Sequence, residues 1–491
     1  FNTDVNSGDQ APINCTRYLR WINADGKMYY NSILELVGNT PLVKLNKVPT
    51  HHGLSCEIYA KCEFMNPSGS IKDRIALSMI QDAKEAGRVR DSSVFVEPSS
   101  GNTGIGIALN ATIMDNKCVI VTEEKNSDEK VNTIKLLGAE VVQTKDNESE
   151  LATAHKLKDD NPGTVVMLDQ FDNDVNPRTH YQETAVEIIT ALGEVDMVVM
   201  GAGTGGTMTG GGLRIKEQYP NCILVAAEPD GSIMINVNGK NHPYLVEGIG
   251  GTWVPKVLDK SVIDRVEVIT DEESFLMARE LARKEGLLCG GSSGTAMAAA
   301  IKSAKALNLD AGKRVVVILP DGIRNYMTKF VSDQWMEAHL YMDPPEHTMK
   351  WWNNPITDVH LSHKYPMLDQ DFTCEQALNV MKDTGLAIII NENSHFVGVI
   401  SKDSFRQSAT NPPNLPNQNS KDFDFNDPVM EHLVKHCFTL ATNGKKGMPT
   451  IGRLARILDI TPFVVIGKED FFVPQGVVTG DDILDYIHFH R

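Results

Sequence analysis

The sequence predicts a large α/β body with mostly parallel sheets, followed by a small tandem α+β module. Three observations carry this. Between residues 33 and 338, short Val/Ile-rich runs alternate with helix-like stretches, the mark of strands buried on both faces by crossover helices. Near residue 340 the alternation stops at MDPPEHTMKWWNNP (342–355), which holds three prolines and two adjacent tryptophans. Beyond it, FVGVISKDSF (396–405) is echoed by PQGVVTGDDIL (474–484), with Gly398, Ser401 and Asp403 matched by Gly476, Thr479 and Asp481. At 491 residues the chain is too long for one ordinary core, so separate domains are expected.

In chain order, residues 1–30 lack periodicity and read as an N-terminal arm. Residues 31–340 form the body, whose candidate strands are SVFVEP (93–98), KCVIVT (117–122), AEVVQT (139–144), DMVVMGAG (196–203), CILVAAEP (222–229) and RVVVILP (314–320). More than one sheet is expected at this length. Residues 341–356 form a linker in which Trp351 and Trp352 read as packing anchors. Residues 357–491 form the module, with units at about 357–410 and 427–491 joined by a polar, proline-containing stretch. Two such short units cannot bury a core alone and should pair.

Composition narrows the function. Apolar residues make up 41% of the chain and the formal net charge is −17, which weighs against nucleic acid or an anionic membrane as partner. No apolar run is long enough to span a bilayer, so a cytoplasmic, soluble protein is expected. Eight scattered cysteines, several in apolar runs, read as reduced buried thiols. The 14 histidines show no metal-ligand spacing, so no metal is expected. TEEKNSDEK (122–130) reads as a solvated helix face.

The chemistry starts at FMNPSGSIKDR (64–74). Lys72 follows a turn and opens a helix, where the dipole disfavours positive charge. Either it is a tolerated surface charge or its amine is wanted neutral. Three glycine-rich turns follow apparent strands: EPSSGNTGIGIAL (97–109), GAGTGGTMTGGG (201–212) and GLLCGGSSGTA (286–296). Glycines at a strand-to-helix junction let backbone N–H groups converge on an anion. GTGGT (203–207), with two threonine hydroxyls, is the best phosphate cradle, and it fits neither a Walker loop nor the spaced dinucleotide pattern. A lysine disposed to be neutral, together with a phosphate cradle, fits pyridoxal phosphate held through a Schiff base.

Taken together, GNTPLVKL, NPSGSIKDR, EPSSGNTGIGIA, GTGGTMTGG, VEGIG and LLCGGSSG resemble the motif set of the fold-type II pyridoxal-phosphate β-replacement enzymes. Their core consists of two open twisted α/β subdomains. LPDGIRNYMTKF (319–330) and the tandem module narrow the resemblance to the cystathionine β-synthase family. The resemblance implies that Lys72 carries the cofactor covalently and acts as base at the substrate Cα. It implies that Asn102 bonds the cofactor's phenolic oxygen, that Gly203, Thr204, Gly205, Gly206 and Thr207 hold its phosphate, and that Ser292 faces the pyridine nitrogen. Ser99, Ser100, Thr103, Gln170 and Gly248 would surround the substrate. The implied reaction replaces the hydroxyl of serine by the thiol of homocysteine, giving cystathionine, with hydrogen sulfide released when cysteine is the first substrate. A homodimer or higher homo-oligomer is implied.

Three departures bear on this. Animal members bind haem through an N-terminal cysteine and a following histidine. Here Cys15 has no histidine in residues 16–50, and His51 and His52 come too late, so no haem is expected. Phe171 and Gly251 stand where the family usually has tyrosines, which keeps a cysteine synthase using O-acetylserine and sulfide as an alternative. Cys222 lacks its CxxC partner, so no redox switch is expected there. The module resembles paired CBS domains, with Val477, Thr479 and Asp482 where an adenosyl ligand such as S-adenosylmethionine would sit. Leu386 and Ala387 replace the aromatic and acid of the binding members, which leaves ligand sensing and plain dimerisation both open. A catalytically inactive adenosyl-ligand sensor is the alternative from another class.

Overall fold

The computed structural model describes residues 29–490 except 100, 124–125, 145–148, 362–364, 411–423, 435–436, 445–446 and 469–471. The body contains two sheets. Strands β3 (Val94–Pro98), β4 (Lys117–Glu123), β5 (Glu140–Thr144) and β6 (Val165–Met167) form an all-parallel sheet in the order β5-β4-β3-β6. Strands β1 (Leu42–Lys44), β2 (Glu57–Cys62), β7 (Met197–Gly201), β8 (Ile223–Pro229), β9 (Arg265–Ile269) and β10 (Arg314–Leu319) form the larger sheet, ordered β1-β2-β10-β7-β8-β9. Only β1, at its edge, runs antiparallel, against β2. All six strands read from the sequence are present, each within one residue of its apolar run except β7, whose run ends two residues past the strand.

Each sheet is buried because helices cover it. Ile120, Val141 and Phe95 of the smaller sheet pack against Ile75, Met79 and Ile80 of the Lys72–Glu85 helix and Ile105, Ile107 and Ala108 of the Asn102–Ile113 helix. In the larger sheet Val199, Val225 and Val317 meet the alanine-rich Gly291–Ala306 helix, whose Ala296, Ala299 and Ala300 are fully buried. Small side chains let that helix lie close to the strands. Six of the seven described cysteines are buried and all seven are free thiols, as expected.

The module contains two three-stranded sheets of the same design. Strands β11 (Met367–Asp369), β12 (Leu386–Ile390) and β13 (Phe396–Ser401) make one, and β14 (Phe438–Ala441), β15 (Phe463–Lys468) and β16 (Val473–Thr479) the other. In each, the first pair is parallel and the second antiparallel. The repeat is structural as well. Ser401 and Ser404 exchange backbone-to-hydroxyl bonds at the start of the helix after β13, and Thr479 with Asp482 does the same after β16. The units share a core in which Leu386, Ile388 and Val399 meet Phe463, Val465 and Val477.

The module is bound to the body through its second unit. Glu337, fully buried on the Asp333–Ala338 helix, takes two bonds of 3.0 Å from Arg456, and Arg453 donates to Met342 O and Asp343 and to the Glu337 carbonyl. Trp352 acts as the expected anchor: its ring lies against Gly452, where a Cβ would be 2.5 Å away, and its Nε1 donates to Pro345 O.

Candidate active site

The sheets meet at a cavity of about 890 Å³, placed by the carboxyl ends of β3, β7 and β10 and by the first turns of the helices that follow. Lys72, Asn102, Thr103, Gln170, Gly203, Thr204, Gly205, Thr207, Gly248 and Ser292 all line it. Ser99 and Gly206 stand just behind the lining, and Ser100 lies outside the described residues.

Lys72 is the first residue of its helix, as the sequence predicted. Lys72 is half-buried, with part of its surface opening into the cavity, and desolvation lowers the amine from 10.5 to about 8 against the opposing pull of Asp321. The turn before it is fixed by Asp73, which accepts from Ser68 N at 2.7 Å and from the Ser68 hydroxyl.

The glycine turns are close-packed. Gly203 has no room for a side chain, since a Cβ would lie 2.4 Å from Gly248 O. Gly205 has φ +90°. The chain then enters a π-helical turn, Thr207–Gly211, packed on a second one, His180–Thr184, with His180 Nε2 3.2 Å from Thr207 Oγ1. Asn176 ties this turn to the Gln170 loop, donating to Gln170 O at 2.8 Å and Thr204 Oγ1 at 3.0 Å. Backbone N–H groups at a helix start, two hydroxyls and glycines no side chain could replace make a cradle of phosphate character, beside a desolvated amine. These residues fit pyridoxal phosphate.

Several site residues are held by partners that the sequence did not show. Gly101, with φ +127°, caps the Asn102–Ile113 helix, and Asn102 is its first residue. Asn102 donates to Asp321 Oδ2 at 2.9 Å and accepts from Asn325 at 2.9 Å, so its amide is oriented toward the cavity by the 321–326 segment. Ser99 Oγ accepts from Gly101 N and Gly104 N, so it shapes the loop rather than facing the cavity. Thr103 Oγ1 donates to Gln170 Oε1 at 2.7 Å, and Gln170 Nε2 donates to Pro98 O. TEEKNSDEK is not simply a solvated face. Lys130 is 1% exposed, bridges to Glu247 at 2.7 Å and runs its stem beneath Gly101. Lys329 pairs with the same carboxylate, and together the two lysines outweigh burial to hold Glu247 low.

At the mouth Phe171 and Trp253 rings stand 5.2 Å apart, and a Cβ placed on Gly251 would meet nothing nearer than Trp253 O at 3.7 Å. In the module Val477 is fully buried between the units, and the Thr479 hydroxyl and Asp482 are bound to each other. Cys15 lies outside the described residues.

Comparison with known proteins then decides the family. Residues 33–321 match the pyridoxal-phosphate dependent enzyme family, and 356–409 match the CBS domain. The chain is 41% identical to cystathionine beta-synthase of Apis mellifera (95% of this chain, 92% of that one) and 42% to that of Dictyostelium discoideum (94% and 93%). It is 39% identical to that of Mus musculus, covering 94% of this chain and 83% of the relative. The chain belongs to the cystathionine beta-synthase family. Two bacterial structures superpose on the body of this family member, each 36% identical with TM-score 0.58. The O-acetylserine dependent cystathionine beta-synthase of Helicobacter pylori covers 62% of this chain and 99% of its own, and a hydrogen sulfide-producing enzyme of Fusobacterium nucleatum 61% and 100%. A pyridoxal-phosphate family with a fitting cradle and amine accounts for the cavity. No described helix is long and apolar enough to cross a membrane.

Proposed function

We propose that the chain catalyses β-replacement, exchanging the hydroxyl of L-serine for the thiol of L-homocysteine to give L-cystathionine, and releases hydrogen sulfide when cysteine takes the place of serine. The observation that carries this is the desolvated Lys72 amine sharing one cavity with the Gly203–Thr207 turn. Pyridoxal phosphate, when bound, supplies the electron sink that acidifies the substrate Cα.

The protein's own groups do the rest. Lys72 would hold the cofactor, and its Nζ would take the Cα proton; an amine near 8 is suited to that exchange at neutral pH. The N–H groups and hydroxyls of residues 203–207 hold the phosphate. Asn102, oriented by Asp321 and Asn325, donates to the phenolic oxygen. Ser292, in the first turn of its helix, offers a neutral hydroxyl to the pyridine nitrogen, which limits the electron sink and favours expulsion of the β-substituent. Thr103, Gln170, Gly248 and the backbone of the Ser99 loop orient the substrate carboxylate. No haem enters this reading, because Cys15 has no histidine within the next 35 residues of sequence.

Phe171 and Gly251 favour one second reading, a cysteine synthase acting on O-acetylserine and sulfide. Turnover with serine plus homocysteine, set against turnover with O-acetylserine plus sulfide, separates the two. A higher kcat/KM for the first pair supports the proposal, and activity with the second pair alone overturns it. Borohydride reduction should tag Lys72, and a tag elsewhere refutes the site. The purified protein should show no Soret band.

A further inference from the structure

We propose that His51, His52 and Glu280 form a binding site for a divalent transition-metal ion of the zinc class, at the joint between the Val48–His51 turn and the Asp271–Glu280 helix. The site is separate from the cavity, whose lining includes none of the three. The two imidazole nitrogens converge on both oxygens of one carboxylate: His52 Nε2 lies 3.1 Å from Glu280 Oε2, and His51 Nε2 lies 3.8 Å from Oε1. Tetrahedral zinc, with bonds of about 2.0–2.2 Å, sets its ligand atoms about 3.3–3.5 Å apart, a spacing that these two distances bracket. The rings stand edge to face, centroids 5.2 Å apart, so they do not stack, and one atom from each of the three residues falls within 4.8 Å of the others.

Two further observations favour a cation over a plain His–Glu hydrogen bond. Glu280 Oε1 is shut off from solvent and receives no hydrogen bond, although His51 and Lys284 stand 3.8 and 3.9 Å away. The scaffold is also fixed in advance. Glu285, five residues on, accepts the backbone N–H groups of Asn46, Lys47 and Val48, so the turn carrying both histidines is clamped at its start by the segment that presents Glu280. Two histidines and a carboxylate suit Zn²⁺, Co²⁺ or Ni²⁺ far better than Mg²⁺ or Ca²⁺, and water completes the shell. His51 and His52 are neighbours, but Glu280 is 228 residues from His52, which is why histidine spacing carried no signal.

The test is calorimetric titration of the tag-free holoenzyme with Zn²⁺. One saturable site per chain is expected. Losing a group that merely orients a ligand already costs about 10–100-fold in metal affinity, so H52Q and E280Q should each weaken the site by at least about tenfold. H51Q, changing a side chain 55% exposed, cannot harm the fold and should weaken it as well. H155Q, at another exposed histidine, should leave it unchanged. Zinc should raise the thermal midpoint of the wild type and not of H52Q. Absence of a saturable site, or a site that survives H51Q, H52Q and E280Q alike, overturns the proposal.

Discussion

The run GAGTGGTMTGGG contains glycines that a sequence cannot tell apart and the structure can. In Gly203→Ala the new Cβ would lie 2.4 Å from Gly248 O, against an ordinary C···O contact of about 3.3 Å, so two backbone segments must part by about 1 Å. Both segments line the cavity, so the displacement falls on the cradle itself. A misplacement of that size costs about 10²-fold in rate, about 2.7 kcal/mol of barrier, and cofactor affinity should fall with it. Gly211 is the control. Its backbone is helical (φ −61°, ψ −45°) and nothing lies within 4 Å of a Cβ. Gly211→Ala should keep cofactor affinity and gain about 0.4–1 kcal/mol of stability from the stiffer unfolded chain. Gly210→Ala differs again: its Cβ would fall 1.7 Å from Pro177 O, so it should lower stability before affinity can be measured. Titration of resolved apoprotein with pyridoxal phosphate gives the affinities, and denaturant unfolding of the same samples gives the stabilities. Wild-type affinity in Gly203→Ala, or an equal loss in Gly211→Ala, would refute the assignment of the cradle.

Three other predictions rest on buried charge. Burial holds the Asp73 carboxyl up at about 6, above its ordinary 3.8, so ionising it costs more in the folded state. The Asp73 contribution to apoprotein stability should therefore fall by about 3 kcal/mol as pH rises through this window and level off above it; in Asp73→Asn that component should vanish, and an unchanged profile counts against it. Arg456→Met leaves the fully buried Glu337 without its bidentate partner, a change worth about 3–5 kcal/mol, and should speed limited proteolysis within the already exposed residues 345–349 while the body stays folded. Lys130→Met and Lys329→Met should each cost little, because Glu247 keeps one cation. The double variant should cost more than the sum, and additive losses would show that the carboxylate was never shared.

How far the sequence reached follows from what each feature depends on. The interior parallel strands were legible because burial on both faces demands an apolar run, and β3, β4, β7, β8 and β10 have one. The strands it missed lack that signature for identifiable reasons. β2 reads EIYAKC because Lys61, 1% exposed, spends its charge on Glu187; β6 has three residues; β9, RVEVI, is an edge that need hide only one face. The site residues on glycine turns were legible through motif order, since each turn needs residue types that local geometry imposes. The groups orienting them were not. Asp321 reaches Asn102 across 219 positions, and Lys130 reaches Glu247 across 117. A lysine in an acidic, polar run looks solvated whether or not folding delivers a carboxylate to it, because charge pattern records the cost of burial but not the partner that offsets it. The same blindness covers Glu337 in the helix that follows LPDGIRNYMTKF. One end of that stretch orients Asn102 through Asp321 and Asn325, and the helix beyond its other end grips the module through Glu337. Residues 321–338 thus carry both the group that orients Asn102 and the group that holds the module on one stretch of chain.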